Sequence, residues 1–287
     1  MKHRRFLMPC LSALLLLSAC GQAPATPPAS DKTSSATTES TAASAAGSQT
    51  AQLELSAFSN IEVDVLAADI RLVPGETWSL SYALSEKEPV EQVGVVGDTL
   101  YLETRFDLLK RPELVDGWHV TITVPEDAQL LEIDLETVAG SIEADGFTCT
   151  EGSFATTAGP ITLTDLTARE LDAETVAGDL TITNSSADQV DVESTSGSLT
   201  VEGRFGSLET DAISGSTAVT AALSLSAELE SVSGGIGLSL TNPAALTASS
   251  AGGVTLNGEK VRGTLTTTGG TPVEVKSVSG QIAITAP

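Results

Sequence analysis

One glycine recurs along the second half of the chain at an almost constant interval. From residue 140 onward the spacings are 19, 19, 19, 18, 19, 18 and 18 residues, and the series consists of Gly140, Gly159, Gly178, Gly197, Gly215, Gly234, Gly252 and Gly270. A fixed period near 20 residues is typical of solenoids, in which each repeat buries its apolar face against neighbouring repeats. Gly280 follows Gly270 by only 10 residues, which we interpret as an atypical terminal repeat.

Apolar and polar residues alternate on both sides of this glycine. The positions two and four after it, and those seven and five before it, are mostly apolar. A period of two predicts strands whose apolar side chains face a core. Small residues one and three positions before the glycine allow a tight corner, where glycine permits a positive φ. We therefore predict an all-β fold, a parallel β-solenoid (β-helix) with coils of about 19 residues that each contain two strands.

The composition divides the chain into four segments. Residues 1–19 combine a basic start with an apolar run from Leu11 to Leu17, which is far shorter than the ~20 residues that span a bilayer and predicts an export signal. Residues 20–52 are rich in Ser, Thr, Ala and Pro, which predicts a disordered linker. Residues 53–130 are interpreted as a β-rich N-terminal head with the first coils, and residues 131–287 contain the regular repeats.

The export signal ends in Leu17-Ser18-Ala19-Cys20, which resembles the lipobox of bacterial lipoproteins. The resemblance implies cleavage before Cys20 and attachment of lipid to this residue. Two or more acyl chains hold a protein stably at a membrane, whereas a single chain does not. The predicted location is therefore the cell envelope, with the protein anchored by lipid to the outer face of a bacterial membrane.

The repeat and two segments before it resemble a known family. Residues 58–76 are FSNIEVDVLAADIRLVPGE, with Ala68 at the position of the repeating glycine, and residues 120–128 are VTITVPEDA. Together with the repeat, over roughly residues 53–287, they are similar to the bacterial putative-adhesin domain of unknown function. The resemblance implies a right-handed parallel β-solenoid on secreted or membrane-anchored envelope proteins. It also implies an association with envelope-stress regulation, and it brings no catalytic residues.

Acidic residues greatly outnumber basic ones, with 38 Asp and Glu against 14 Lys and Arg and a net charge of −24. This balance argues against nucleic-acid binding, which needs a basic surface, and it favours cations or basic partners. In the repeats, carboxylates occupy the outward positions six and four residues before the glycine. The last four such pairs are consecutive, and they comprise Asp172, Glu174, Asp191, Glu193, Glu209, Asp211, Glu228 and Glu230.

Stacked coils would align these carboxylates in two columns with steps of about 4.8 Å. Each like-charge contact then costs about 1 kcal/mol even in a high dielectric. One interpretation is a solvated face that keeps the protein soluble and discourages lateral aggregation. The other is a surface for cations or for a basic partner, with weak Ca²⁺ binding as the cation case. The calcium-binding nonapeptide GGxGxDxUx is absent from the sequence, so a tight calcium site is not expected.

Side chains that commonly carry catalysis are scarce. After Cys20 the only cysteine is Cys149 and the only histidine is His119, so a metal cluster of Cys and His cannot be assembled and a catalytic triad would depend on His119. We predict no enzyme, no catalytic residues and no cofactor, with weak Ca²⁺ binding left as the open alternative. The predicted function is noncatalytic, adhesin-like binding of a protein or glycan. The alternatives are an envelope-stress sensor or regulator that acts through a protein partner and, more remotely, a polysaccharide-active enzyme using paired carboxylates.

Overall fold

The computed structural model describes residues 48–105 and 117–287. Within these ranges the chain forms 22 strands and no helix, so that no membrane-crossing helix occurs in them. The predicted export signal, Cys20 and most of the predicted linker lie outside the described residues. In chain order the strands are β1 (Ser48–Glu54), β2 (Asn60–Val65), β3 (Asp69–Gly75), β4 (Ser79–Ser85), β5 (Val90–Val96), β6 (Thr99–Thr104), β7 (His119–Pro125), β8 (Gln129–Thr137), β9 (Ile142–Asp145), β10 (Thr148–Thr156), β11 (Ile161–Thr164), β12 (Thr167–Ala177), β13 (Leu180–Ser196), β14 (Leu199–Ser214), β15 (Thr217–Ser231), β16 (Ile236–Leu240), β17 (Ala244–Ser250), β18 (Val254–Leu256), β19 (Glu259–Val261), β20 (Leu265–Thr266), β21 (Thr271–Ser277) and β22 (Ile282–Thr285).

Successive repeats stack with their equivalent strands in parallel. On one side of the stack, β8, β10, β12 and the second halves of β13, β14 and β15 pair in order, as Glu151↔Glu170 illustrates. On the other side, β9, β11, the first halves of β13, β14 and β15, and β16 pair in the same order, as Leu163↔Ile182 illustrates. The prediction of an all-β, solenoid-like fold is confirmed.

The core is built from columns of inward-facing side chains. The residues two positions after the repeating glycine align across the coils and are buried throughout, and they are Ile142, Ile161, Leu180, Leu199, Thr217 and Ile236. Their alternation with outward residues is the period of two seen in the sequence. Cys149 also lies in the core, and loss of hydration there raises the pKa of its thiol to about 11.

The repeating glycine is required by close approach of two backbones. A Cβ atom placed on Gly159 would lie 2.0 Å from the carbonyl oxygen of Gly140, and one on Gly178 would lie 1.8 Å from that of Gly159. We call the repeating glycines that approach one another in this way the glycine ladder. A positive φ occurs in it at Gly197 and Gly215 but not at Gly140, Gly159 or Gly178. The expected positive φ is thus wrong as a general explanation, because the tight corner leaves no room for any side chain.

The order of coils at both ends of the stack differs from their order in the chain. At one end β2 lies between β6 and β8, and β3 lies between β7 and β9. At the opposite end β21 lies between β15 and β17, and β22 lies between β16 and β18. The coil that is last in sequence is therefore the second last in space.

This permutation corrects the predicted glycine series. A Cβ atom on Gly280 would lie 1.7 Å from the oxygen of Gly234, and one on Gly252 would lie 2.5 Å from the oxygen of Gly280. Gly280 therefore belongs to the ladder, between Gly234 and Gly252, and is not an out-of-register terminal residue. Gly270 instead approaches the carbonyl of Pro243 and lies outside the ladder, because it precedes β21 rather than following it.

Antiparallel strands cover both ends of the stack. At the N-terminal end β5 pairs with β6, β4 pairs with β7, and β1 pairs with β4. At the other end β19 pairs with β18 and β20 pairs with β17. Since β1 begins at Ser48 and pairs along its whole length with β4, the predicted linker, residues 20–52, ends earlier than expected. These additions pair strand edges that would otherwise be open.

Candidate functional site

The eight predicted carboxylates lie together on one outer face of the stack. Their positions are consecutive in both columns, with Asp172↔Asp191↔Glu209↔Glu228 in one and Glu174↔Glu193↔Asp211↔Glu230 in the other. We call these eight residues the acidic face. They project outward because they alternate along each strand with core residues such as Val192.

Both columns continue past the acidic face. Beyond the Glu228 and Glu230 end, Glu228 pairs in register with Glu274, and Glu230 pairs with Lys276. Sequence analysis missed these two residues because β21 is 46 residues from its register partner in β15. A signal was nevertheless available, because the tetrapeptide SVSG occurs at residues 231–234 and again at 277–280.

Lys276 neutralises one end of the acidic face. Its Nζ lies 2.9 Å from Glu228 Oε1, 3.0 Å from Glu230 Oε1 and 3.1 Å from Glu274 Oε1. The hydrogen bond and the charge of Lys276 lower the pKa of Glu228, and the same contacts raise the pKa of Lys276. All four side chains are partly exposed, so each ion pair contributes little to the free energy of folding.

The rest of the acidic face has the opposite electrostatic character. Desolvation, followed by repulsion from Glu170 and Asp191, raises the pKa of Asp172 to about 6. Desolvation and neighbouring carboxylates also raise the pKa of other members of the face, namely Glu174, Asp191, Glu193, Glu209 and Asp211. Among the ion pairs of the described residues, Lys276 is the basic partner of members of the face. Most of the face therefore carries negative charge that the protein itself does not neutralise.

A groove of about 600 Å³ follows one column of the acidic face across six strands, β12, β13, β14, β15, β21 and β17. Neutral polar side chains also line it, including Gln189, Ser207 and Thr247. The carboxylates that line it are Glu170, Asp172, Asp191, Glu209, Glu228 and Glu274. One oxygen of Asp191, Oδ1, is shielded from solvent and accepts no hydrogen bond. This groove can accept hydrogen bonds and positive charge along its length.

The described residues contain no group of three or more His, Cys, Asp and Glu side chains arranged to hold a metal ion. The carboxylates of the acidic face stand side by side on a sheet and do not converge on one point. Weak, distributed cation binding is the mode that this geometry allows. His119 begins β7, away from the acidic face in the strand order, and its Nδ1 lies 3.0 Å from the carbonyl oxygen of Gly117.

Several solved structures are similar to this chain in fold. A protein from Bacteroides fragilis NCTC 9343 described as a putative adhesin is 14% identical, with a TM-score of 0.56 over 84% of this chain and 98% of that chain. A "putative lipid binding protein" from Parabacteroides distasonis ATCC 8503 is 13% identical, with a TM-score of 0.44 over 84% and 98% of the two chains. A "putative adhesin" from Parabacteroides merdae ATCC 43184 is 12% identical, with a TM-score of 0.40 over 84% and 97%.

A search of curated proteins returned no significant match. The first of the solved structures supports the shared fold, since its TM-score exceeds 0.5. The model of the family described as Toastrack DUF4097 matches residues 58–285, which is most of the chain and includes every repeat. The chain belongs to the Toastrack DUF4097 family.

Proposed function

We propose that this chain is a lipid-anchored protein of the bacterial cell envelope whose solenoid binds a basic partner through the acidic face, without catalysis. The observation that carries this proposal is the pair of continuous carboxylate columns along a groove, which the protein neutralises only at the Lys276 end among its described residues. Favourable binding to such a surface requires positive charge from elsewhere. The description of the similar Bacteroides fragilis protein as a putative adhesin agrees with a binding role.

The fold itself does not require carboxylates at these positions. β10 lies between the strand that contains Asp134 and the strand that contains Asp172. In the coil of β10, Ser153 and Ala155 take the places of the two carboxylates. That coil packs like the others, with Phe154 fully buried between them. Repeated carboxylates raise the free energy of the folded state by mutual repulsion, so their presence is better explained by a bound basic partner than by packing.

The envelope location is supported by the sequence alone. The export signal of residues 1–19 and the lipobox that ends in Cys20 support an anchor, and the linker that follows would separate it from the solenoid. Metabolic labelling with a radioactive fatty acid tests this part. We expect label in the protein and its loss in Cys20→Ala; label retained in that variant would contradict the anchor.

Binding of a basic partner is tested with a fluorescent oligolysine in an anisotropy titration at low and at physiological salt. The test variant is Asp172→Asn/Glu174→Gln/Asp191→Asn/Glu193→Gln. The matched control removes two Asp and two Glu charges from exposed positions elsewhere, by Glu126→Gln/Asp127→Asn/Asp145→Asn/Glu202→Gln. We expect at least a tenfold loss of affinity in the first variant and a much smaller loss in the control. Equal losses in both would mean that only the net charge matters and that the acidic face is not a site.

Capture of native partners separates adhesion from regulation. Enrichment of one envelope or signalling protein would favour the regulatory alternative, whereas binding to glycans or host matrix proteins would favour the adhesin-like function. In either case the four-residue acidic-face variant should lose the partner that the control variant retains.

A further inference from the structure

An outward-facing ridge of largely β-branched residues runs along one corner of the stack. Eight coils each contribute the residue two positions before the repeating glycine, or before Ala68 in the first of them, and register places these residues one above another. In spatial order they are Leu66, Val138, Thr157, Val176, Thr195, Ile213, Val232 and Val278. We call this set the corner ridge. It spans eight coils and contains no charged residue.

Most of the corner ridge is exposed, whereas Leu66, Thr157 and Val176 are half-buried. Val138 is 40% exposed, Ile213 54%, Val232 49% and Val278 66%. Single exposed apolar residues are common on soluble proteins, but a contiguous exposed patch marks an interaction surface. Ile213, Val232 and Val278 lie on three consecutive coils about 4.8 Å apart, so these three exposed side chains form such a patch.

The backbone under the ridge is held firmly by serine side chains. The hydroxyl of Ser196 donates to the carbonyl of Val176 at 3.1 Å, that of Ser233 to Ile213 at 3.1 Å, and that of Ser279 to Val232 at 3.2 Å. A surface fixed before binding loses little conformational entropy when a partner arrives. The ridge is therefore a preformed surface.

The corner ridge lies directly beside the acidic face. Val176 follows Glu174 by two residues and Ile213 follows Asp211 by two, so they project on the same side of the sheet. The outer surface consequently has two columns of carboxylates and, next to them, one uncharged and largely apolar column. Two copies facing one another would bring these carboxylates together, and an anionic membrane would be repelled.

We propose that the corner ridge and the adjoining carboxylates form a docking surface for a cationic amphipathic helix of a partner protein. The apolar stripe of the helix lies along the ridge, and Lys or Arg side chains on one flank contact the carboxylates. This inference names the kind of partner for the acidic face and rests on the proposed function.

The spacing of the coils favours a helix over an extended chain. A helix repeats its apolar side every turn of about 5.4 Å, close to the coil spacing of about 4.8 Å. An extended chain repeats the same side every ~6.6 Å. Seven steps between eight coils cover about 34 Å, which corresponds to a helix of about 22 residues. Recognition of this type places an amphipathic helix on an apolar surface through residues at i, i+3, i+4 and i+7.

The test uses a fluorescent 22-residue peptide of Leu and Lys, designed with an apolar stripe at i, i+3, i+4 and i+7 and titrated against the purified protein. A peptide of the same composition in scrambled order keeps the charge without the stripe. The ridge variant is Ile213→Thr/Val232→Thr/Val278→Thr. Threonine is chosen because the ridge already contains it at Thr157 and Thr195. Its control places threonine at three exposed apolar positions off the ridge, Val96, Leu131 and Leu225.

We expect the striped peptide to bind at least tenfold more tightly than the scrambled one, and the ridge variant to lose about tenfold while the control loses little. The converse variant, Thr157→Val/Thr195→Val, should bind a few-fold more tightly, and this gain cannot arise from misfolding. Equal affinity of the two peptides, or an unchanged affinity in both ridge variants, would overturn the inference. So would ridge-dependent dimerisation, or ridge-dependent binding to phosphatidylglycerol vesicles, without peptide binding.

Oligolysine separates this inference from the proposed function. The ridge variant should bind oligolysine as the unchanged protein does, because oligolysine has no apolar stripe. If the acidic-face variant loses oligolysine while the striped peptide shows no preference for the ridge, the acidic face stands as a site and the helix is the wrong partner. If oligolysine does not bind at all, the proposed function fails by itself.

Discussion

The middle and the ends of the stack follow different rules. From β8 to β16, coils that are adjacent in the chain are adjacent in space, and the period of the sequence predicts every neighbour. At both ends a terminal coil is inserted one place inward, with β2 and β3 at one end and β21 and β22 at the other. Insertion gives both edges of that coil a partner, so the coils at the chain ends are not left at an open edge of the stack.

The middle of the stack and its Lys276 end also differ in charge. In the middle, desolvation and then mutual repulsion raise the pKa values of the carboxylates of the acidic face, as for Asp172. At the end where β21 is inserted, Lys276 approaches three carboxylates and the pKa of Glu228 falls. One column of equivalent positions thus contains both a repulsive and an attractive section.

The largest expected effect tests whether the inserted coil is as integral as the middle. Ile282 in β22 and Leu180 in β13 are both fully buried and occupy equivalent core positions. Ile282→Ala and Leu180→Ala should each reduce the free energy of unfolding by about 3 kcal/mol, through lost burial and a cavity. Urea unfolding followed by circular dichroism measures this difference. A cost below about 1 kcal/mol for Ile282→Ala alone would mean that the last coil is a frayed end.

A second prediction concerns the glycine ladder. Gly178→Ala and Gly280→Ala should each cost about 2–3 kcal/mol, because the added Cβ would meet a backbone oxygen that cannot easily move. The control is Gly237→Ala in β16, where an added Cβ would lie 3.9 Å from the nearest atom, the oxygen of Thr217, and where alanine occupies the register-equivalent positions 218 and 283. In thermal unfolding, the Tm of this control should be close to that of the unchanged protein. A neutral Gly280→Ala would contradict the corrected ladder.

The smallest effect is a dependence of stability on pH. Asp172 has its pKa raised from 3.8 to about 6 in the folded state, and Asp134 likewise. Between these pH values the folded protein binds protons that the unfolded chain does not. The stabilisation that comes from this proton binding is fully present below the unfolded pKa, and it is lost as pH rises through about 6. After allowance for solvent screening, stability should increase by about 1 kcal/mol from pH 7 to pH 5.

Urea unfolding at several pH values checks this sign. Asp172→Asn should flatten the dependence, and a steady loss of stability from pH 7 to pH 5 would contradict it. At the Lys276 end the dependence of stability on pH has the opposite sign. The stabilisation that ionised Glu228 provides is present above its ordinary pKa, and it is lost as pH falls through its lowered pKa. In Lys276→Gln, NMR titration should show the pKa of Glu228 rising, whereas Lys260→Gln should leave it unchanged.

The predicted and observed structures agree where local pattern determines the outcome. Alternation around Gly159 and Gly178 predicts which side chains are buried, and the constant spacing predicts that Glu174 and Glu193 are register partners in one column, as they are. The reason for the glycine itself was not predictable from one coil. It depends on the distance between the carbonyl of Gly159 and the next coil, which only the stacked structure contains.

The sequence by itself determined the strands, the columns of core residues and the two columns of carboxylates, because a period of two sets the side of each residue and a period near 19 sets its neighbour in the next coil. The tertiary structure alone decided which coils meet at the ends, and hence that Lys276 lies against Glu228 and Glu230. It also decided that most of the corner ridge is exposed beside the acidic face. Pairing between strands separated by 46 residues depends on satisfying every edge of the stack, and no local period contains that requirement.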